Sequence, residues 1–372
     1  MTNFIPVNEP LLDGNEARYL KECISTGWIS SEGPFIERFE QGIAKLTGRK
    51  HAIAVSNGTA AIDVAIECLG ITKGDEVIVP SFTIISCLQQ IVRVGAIPVL
   101  VDSDLATWNM DVAKIEEKIT ARTKAIMVVH IYGLPVDMKP VLEIAARYAL
   151  KVIEDAAEMI GQTYYGQPCG SFGDISTFSF YPNKHITTGE GGMVLTDNDE
   201  FAERCKSLRN LCFTSEKRFI HESLGWNFRM SNLQAAVGLA QLEQLPKFII
   251  KKRKIGETYI NLLSKIDCIQ LPLVETNYAK NIYWVFGILI NESHNFDSKA
   301  AMSRLRSKGI GTRPFFYPMH QQPVLKKMGL FHNEVHPNSE SMYKRGFYIP
   351  SGLALNEMQM NRVAEEVCSL FA

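Results

Sequence analysis

"AVSNGTAAIDVAIECLGITKGDEVIVP", Ala54 to Pro80, contains one repeat of the pattern that decides the fold. A strand ends at Val55 and a helix opens at Thr59. Along that helix Ile62, Ala65, Ile66 and Leu69 fall at i, i+3, i+4 and i+7, a single apolar stripe, with Gly70 placed to stop it. "EVIVP" (Glu76–Pro80) then reads as a buried strand. Further on, "TIISCLQQIVRVG" reads as a helix, "IPVLVD" as a strand, "DVAKIEEKIT" as a helix, "TKAIMVVHIY" as a strand, "VLEIAARYAL" as a helix and "KVIED" as a strand. Such alternation predicts an α/β fold with a large, mainly parallel sheet covered on both faces, because each crossover helix must bury its stripe on the sheet.

Beyond residue 196 the pattern turns helical, through "EFAERCKSLRNL" and "NLQAAVGLAQLEQL" to "PKFIIKKRKIGETYINLLSKI". From about 270 it becomes α+β, with a strand in "YWVFGILIN", a helix in "SKAAMSRLRSKG" and the aromatic loop "TRPFFYPMH". A large domain over 1–247 and a smaller C-terminal domain over 248–372 are expected. With no repeat or low-complexity linker between them, the two should pack closely.

The 372 residues are 46% hydrophobic and 21% charged, with 39 basic and 40 acidic side chains and a net charge of −1. That balance lacks the basic footprint of a nucleic-acid binder. "KKRK" (Lys251–Lys254) reads as a solvated helix face. The N-terminus has no secretory leader pattern and no apolar run is long enough to span a bilayer, so a cytoplasmic protein is expected. Eight scattered cysteines without C-x-x-C spacing read as reduced structural thiols.

Ligands of open α/β sheets gather beyond the carboxyl ends of the strands, where three sets of residues stand out. "AVSNGTA" points the amides of a helix N-terminus outward, either as a phosphate cradle or as a plain cap made by Ser56 or Asn57. "VIEDAAEMIG" leaves Asp155 at a strand end, where it needs a cationic partner or a capping role. "FSFYPNK" brings Lys184 off a strand next to the glycines of "GEGG", as a solvated lysine or as a held amine. Together the three sets are the contacts pyridoxal phosphate requires: a phosphate anchor, a carboxylate for the pyridinium and an amine for the Schiff base. Neither a P-loop nor a dinucleotide fingerprint is present. His332 and His336 in "HNEVH" read as a surface loop, "VDSD" (Val101–Asp104) as a turn, and no metal site is expected.

These segments, with "LDGNEARYLKECISTGWISSEG", "GSFGDISTFSFYPNK", "TTGEGGMV", "NFRMSNLQAAVGLAQLE" and "TRPFFYPMH", resemble the DegT/DnrJ/EryC1/StrS sugar aminotransferases over nearly the whole chain. The resemblance implies a fold-type I pyridoxal-phosphate transferase, similar to aspartate aminotransferase. "VDSDLATWNMD", "EDAAE", "FRMSN" and "RPFFYPMH" look most like the group that aminates C4 of GDP-4-keto-6-deoxymannose with glutamate, for surface polysaccharide. A UDP- or dTDP-linked 3-keto or 4-keto sugar is the alternative.

Carried over, the resemblance implies that Lys184 forms the Schiff base and Asp155 pairs with the pyridine nitrogen. Gly58, Thr59 and Ser179 would hold the phosphate, and Ala157 and Glu158 would lie against the ring. Asn227 would reach the phosphate of a neighbouring subunit, which makes the enzyme a homodimer with shared sites. Trp28, Ser30, Ser31, His185, His221, Arg313, Tyr317 and His320 would face the substrate. Two departures from the family pattern stand out. Ile84 occupies a position that usually carries an aromatic residue, so the ring face should pack on an aliphatic side chain or a neighbour. Phe219, Ile220 and His221 replace Tyr-Trp-His in a loop expected to face the sugar. A sugar dehydratase of the same fold would have histidine in place of the lysine; here His185 follows a retained Lys184. A non-catalytic relative is disfavoured because Lys184, Asp155 and Asn227 are all intact.

Overall fold

The structure is a computed structural model of the chain and describes residues 4–214 and 219–371. A seven-stranded sheet is formed by β1 (His51–Val55), β2 (Glu76–Pro80), β3 (Ile97–Val101), β4 (Thr123–Val129), β5 (Lys151–Asp155), β8 (Ile175–Ser179) and β9 (Gly192–Thr196), with β6 (Thr163–Tyr164) and β7 (Gln167–Pro168) a separate hairpin. Its order is β1-β9-β8-β5-β4-β2-β3, and β9 alone runs against the other six. Both faces are buried, and the strands alternate between two cores. Val77 and Val79 of β2 and Ala125 and Met127 of β4 join one core, while Ile78, Ile126 and Val128 join the other.

Helices α1 (Glu16–Thr26), α2 (Pro34–Thr47), α3 (Gly58–Cys68), α4 (Ser86–Arg93), α5 (Met138–Arg147) and α6 (Asp199–Arg209) cover the sheet. The expected stripe on α3 is broader than one face: every residue from Ala60 to Ile66 is buried, because the helix lies between the sheet and two neighbouring helices. Two sequence readings need correction. "DVAKIEEKIT" forms two short 3-10 turns, Val112–Lys114 and Glu116–Lys118, in place of a helix. Only Ile115 is fully buried there, too little apolar contact to hold a short α-helix. The helix expected from Thr83 begins at Ser86. Thr83 and Ile84 are left in a loop that lines the main cavity.

The long α7 (Asn232–Leu263) runs unbroken through Pro246, capped by a reciprocal Ser231–Gln234 box. The boundary expected near 247 therefore falls inside one helix. Its first half packs Ala235, Ala236 and Leu245 with α1 and α2, and its second half puts Ile255, Tyr259 and Leu263 into the core of the smaller domain. That domain has an antiparallel sheet ordered β10 (Ile269–Gln270), β11 (Phe286–Ile290), β13 (Gly346–Ile349), β12 (Arg313–Pro314). Around it lie α8 (Ser298–Ser307), α9 (Pro323–Lys327), α10 (Pro337–Arg345) and α11 (Glu357–Leu370). Ile5, from the start of the chain, also packs into this core and bridges to Ile310.

Side chains tie the two layers together. Asp102, just past β3, accepts hydrogen bonds from the Asn338 and Ser339 amides in the first turn of α10 and from the Ser339 hydroxyl. The "KKRK" reading fails at Lys252, which is buried and donates to the Trp284 and Ser351 carbonyls, 2.9 and 2.6 Å away. Burial pushes its pKa down to about 7. In "HNEVH" His332 is exposed as expected, but His336 is buried, 3.0 Å from Glu334 and against the His320 ring. Among the described residues no helix is long and apolar enough to cross a membrane.

Candidate active site

A cavity of about 660 Å³ opens at the carboxyl ends of the parallel strands. It is closed over by Trp284, Phe316 and Tyr348 from the smaller domain. Gly58, Thr59, Asp155, Ala157, Glu158, Ser179 and Lys184 all line it.

One end of the cavity is the N-terminus of α3. Asn57 caps the helix, its side chain accepting the Ala60 amide at 2.8 Å, and the first-turn amides of Gly58 and Thr59 have no intrahelical acceptor. Asn57 therefore settles the capping role, and the cradle stands beside it. Ser179, at the end of β8, closes in tightly: a Cβ on Gly58 would sit 2.7 Å from the Ser179 Cβ and 2.9 Å from its Oγ. Behind them, a Cβ on Gly192 would lie 2.4 Å from the Asn57 carbonyl oxygen. Gly192 thus serves close approach between β9 and the cradle, while Gly189, at φ +80°, supplies the turn.

Asp155 ends β5 with its carboxylate buried. Oδ1 accepts the Ala157 amide at 3.0 Å and the Thr177 hydroxyl at 3.4 Å, and Oδ2 accepts the Cys87 thiol at 3.3 Å. Burial raises its pKa, opposed by these donors and by the charge of Lys184. The Lys184 Nζ lies 3.9 Å from Glu158 Oε1 and 3.9 Å from the centroid of the Trp284 ring. Burial lowers the Lys184 pKa, and Glu158 and Asp155 oppose the shift. The indole is fixed by Nε1 donating to the Asn183 carbonyl at 2.8 Å and by Lys252 on its own carbonyl.

The residues present fit pyridoxal phosphate on three observations. An anion cradle is kept open by a glycine that cannot carry a Cβ; a buried carboxylate has, among the described residues, no ion-pair partner within contact distance; and a buried amine with a lowered pKa faces the same space. Nearby His130, Glu154 and Cys169 also lie within metal-ligand reach of one another. Two of the three, Glu154 and His130, are bonded to other groups of the chain. Glu154 accepts the Gly170 and Phe172 amides and the Ser176 hydroxyl, and His130 accepts the Val136 amide at Nδ1 and meets Glu154 through Nε2.

Apart from Ile84, the other residues singled out from the sequence lie outside this cavity. Asn227 is exposed, its side chain accepting the Arg229 Nε–H at 2.9 Å. Trp28 and Ser30 are exposed; their backbone is anchored on Asn232 at the start of α7. Ser31 borders a second cavity of about 500 Å³, shared with Arg209 and Arg229. His221 is exposed, 2.8 Å from the Leu211 carbonyl, and Phe219 and Ile220 beside it are exposed as well. Arg313 is exposed and pairs across the small sheet with Tyr348, which lines the main cavity. Tyr317 packs edge-on to Tyr343. His320 is buried between Ser81 and Glu340, and His185 is buried with Nε2 near the Ile282 carbonyl. Ile84 lines the cavity and is half-exposed. Trp284, Phe316 and Tyr348 were not legible as site residues. Trp284 lay in a predicted strand and Phe316 in the aromatic loop "TRPFFYPMH", and the segment of Tyr348 carried no signal.

Residues 10–368 match the DegT/DnrJ/EryC1/StrS aminotransferase family. The chain is 41% identical to GDP-perosamine synthase of Escherichia coli O157:H7 over 99% of both chains. It is 42% identical to GDP-perosamine synthase of Caulobacter vibrioides over 96% of both. Among solved structures it is similar to the aminotransferase TlmJ from Streptoalloteichus hindustanus, with a TM-score of 0.92 and 29% identity over 99% of this chain and 100% of that one.

Proposed function

The chain belongs to the DegT/DnrJ/EryC1/StrS aminotransferase family, and on that premise we propose that it moves the amino group of glutamate to C4 of GDP-4-keto-6-deoxymannose, giving GDP-perosamine. It is a pyridoxal-phosphate-dependent sugar aminotransferase. The observation that carries the reading is the convergence of Lys184, Asp155 and the Gly58–Ser179 cradle on one cavity. When bound, pyridoxal phosphate supplies an aldehyde that captures amines and a protonated ring that draws electrons from the carbon losing its proton.

The protein's own groups set the conditions for that chemistry. Asp155 presents a buried carboxylate that holds a proton on a ring nitrogen. Gly58, Thr59 and Ser179 present the helix N-terminus and a hydroxyl to a phosphate. Lys184 supplies the amine and, once released, takes a proton from carbon and returns it. Burial lowers its pKa, which favours the neutral amine relative to an exposed lysine. Trp284, Phe316 and Tyr348 shield these groups from water.

A homodimer with shared sites is part of the same reading. Asn227 is exposed and oriented by Arg229, as a residue serving a neighbouring cavity would be. Arg313, across from Tyr348, would be the cation that meets the pyrophosphate or the glutamate carboxylate. Trp28–Ser31, His221 and Tyr317 remain candidates for the substrate side. A cytoplasmic location is supported by eight unpaired cysteines, which a reducing compartment keeps as thiols.

The test is amination by the purified protein with glutamate over a panel of nucleotide-linked 3-keto and 4-keto-6-deoxy sugars, read by mass. The GDP-linked 4-keto sugar is expected to gain the amine. Amination confined to a UDP- or dTDP-linked sugar overturns the substrate, and a protein whose visible absorption does not respond to glutamate overturns the reaction. Borohydride should fix the cofactor on Lys184; attachment elsewhere, or none, sinks the role given to that lysine.

A further inference from the structure

Lys184 has to exist as a neutral amine at one moment and as an ammonium at another, inside a cavity from which most water is excluded. Its proton needs a local place to go. Asp155 is a poor one, because both of its oxygens already accept hydrogen bonds and its charge is committed to the cofactor ring.

Glu158 is held differently. It is 6% exposed, and its Oε2 accepts the Tyr132 amide at 2.6 Å. Tyr132 delivers that amide from a left-handed backbone, φ +55°, which a tyrosine rarely adopts, and Gly133 continues the turn at φ +103°. Strained backbone of this kind persists only where the surroundings fix it, and here the Tyr132 ring is locked among Phe82, Trp108, Phe315 and Phe316. One carboxylate oxygen is thereby pinned, while Oε1 is left facing Lys184 Nζ at 3.9 Å.

We propose that Glu158 is the proton-exchange partner of Lys184, accepting the ammonium proton when the amine must react and returning it when the amine must act as an acid. The inference rests on the aminotransferase reading above. In the forward step an Nζ–H bond breaks, an Oε1–H bond forms, and the electron pair stays on nitrogen. Ammonium and carboxylate become amine and carboxylic acid, with no other reactant. The 3.9 Å gap is closed by rotation of the lysine end or by one water, as catalytic hydrogen bonds commonly tighten when substrate binds.

Several charged and titratable groups face Glu158. Lys184 and the Tyr132 amide stabilise its charge; Asp155 opposes it, and the Cys87 thiol and the Tyr132 and Tyr348 phenols lie within its field. Burial pushes Glu158 up to about 8 while it pushes Lys184 down. From the other side, the Trp284 face favours the ammonium. The two shifts run toward one another, the direction a reversible transfer needs.

The test uses Glu158→Gln, which keeps an acceptor for the Tyr132 amide, and Glu158→Asp, which keeps the carboxyl. In the full-length chain stripped of cofactor, the pH dependence of Lys184 arylation by fluorodinitrobenzene is read by peptide mass. The Gln variant should shift that profile to lower pH by about one unit or more, and the Asp variant should move it back toward wild type. In the holoenzyme, the half-reaction with glutamate should slow by at least about tenfold in the Gln variant, and its pH profile should change shape, with partial recovery in the Asp variant. A Lys184 profile that superimposes on wild type overturns the proposal. So does a slower half-reaction with an unchanged pH profile, because that is the mark of a purely structural role. If borohydride fails to fix the cofactor on Lys184, the functional reading itself falls; if it succeeds and Glu158→Gln moves neither profile, only this inference does.

Discussion

His185 and Lys252 meet behind Lys184, and burial acts on both. His185 is 1% exposed, its Nδ1 has no hydrogen-bond partner among the described residues, and burial, helped by the nearby Lys252 charge, pushes its pKa down to about 3. The folded chain therefore refuses a proton that the unfolded chain accepts below its ordinary value of about 6.5. His185 contributes full stability above pH 6.5 and loses it progressively as pH falls toward 3, at roughly 1.4 kcal/mol per pH unit. His185→Gln should accordingly show a smaller drop in thermal midpoint than wild type between pH 7.5 and pH 5, and equal drops would refute the buried neutral imidazole. At the reacting centre, Asp155→Ala should lower the rate of amination by several orders of magnitude and weaken cofactor binding. A mild loss in a steady-state assay would mean that another group holds the ring nitrogen. Lys184 and Asp155 were legible because their positions at the ends of strands follow from local pattern. The environment of Lys184 was not, since Trp284 and Lys252 arrive from segments far along the chain.

Helix α3 and strand β9 form the part of the site whose construction is most restrictive. The cradle works because β8 and β9 approach the start of α3 closely enough to exclude a methyl group at both Gly58 and Gly192. Gly58→Ala should weaken pyridoxal phosphate binding by at least about tenfold, some 1.4 kcal/mol, in a spectroscopic titration, while the chain still folds. Unchanged affinity would mean that the phosphate lies elsewhere. The βα alternation could be read residue by residue because both sheet faces are buried and each strand is a short apolar run. The segment 111–120 misled because its periodicity is helical but its neighbours bury only Ile115. The continuity of α7 through Pro246 was equally hidden: proline disfavours a helix interior, and only packing against α1, α2 and α11 outweighs that preference.

Across the whole molecule, the cavity exists because two layers close on it, with α7 shared between them and Asp102 bonded to the start of α10. Under the shared-site reading, Asn227→Ala should bind cofactor weakly although its own cavity is intact. Mixing it with Lys184→Ala should restore activity that neither variant shows alone, because one mixed site then carries both residues; no recovery on subunit exchange would place Asn227 outside the partner's site. The amino-acid sequence by itself determined the mainly parallel sheet, the position of Asp155 at the end of β5 and of Lys184 in the turn beyond β8, and a helix opening at Thr59, next to its actual start at Gly58, since all of these depend on residues close together along the chain. Tertiary structure alone decided that Trp284 covers Lys184, that Tyr132 pins Glu158 and that Lys252 is buried. Those contacts join segments far apart in sequence, and their energies depend on which side chains exclude water around a charge.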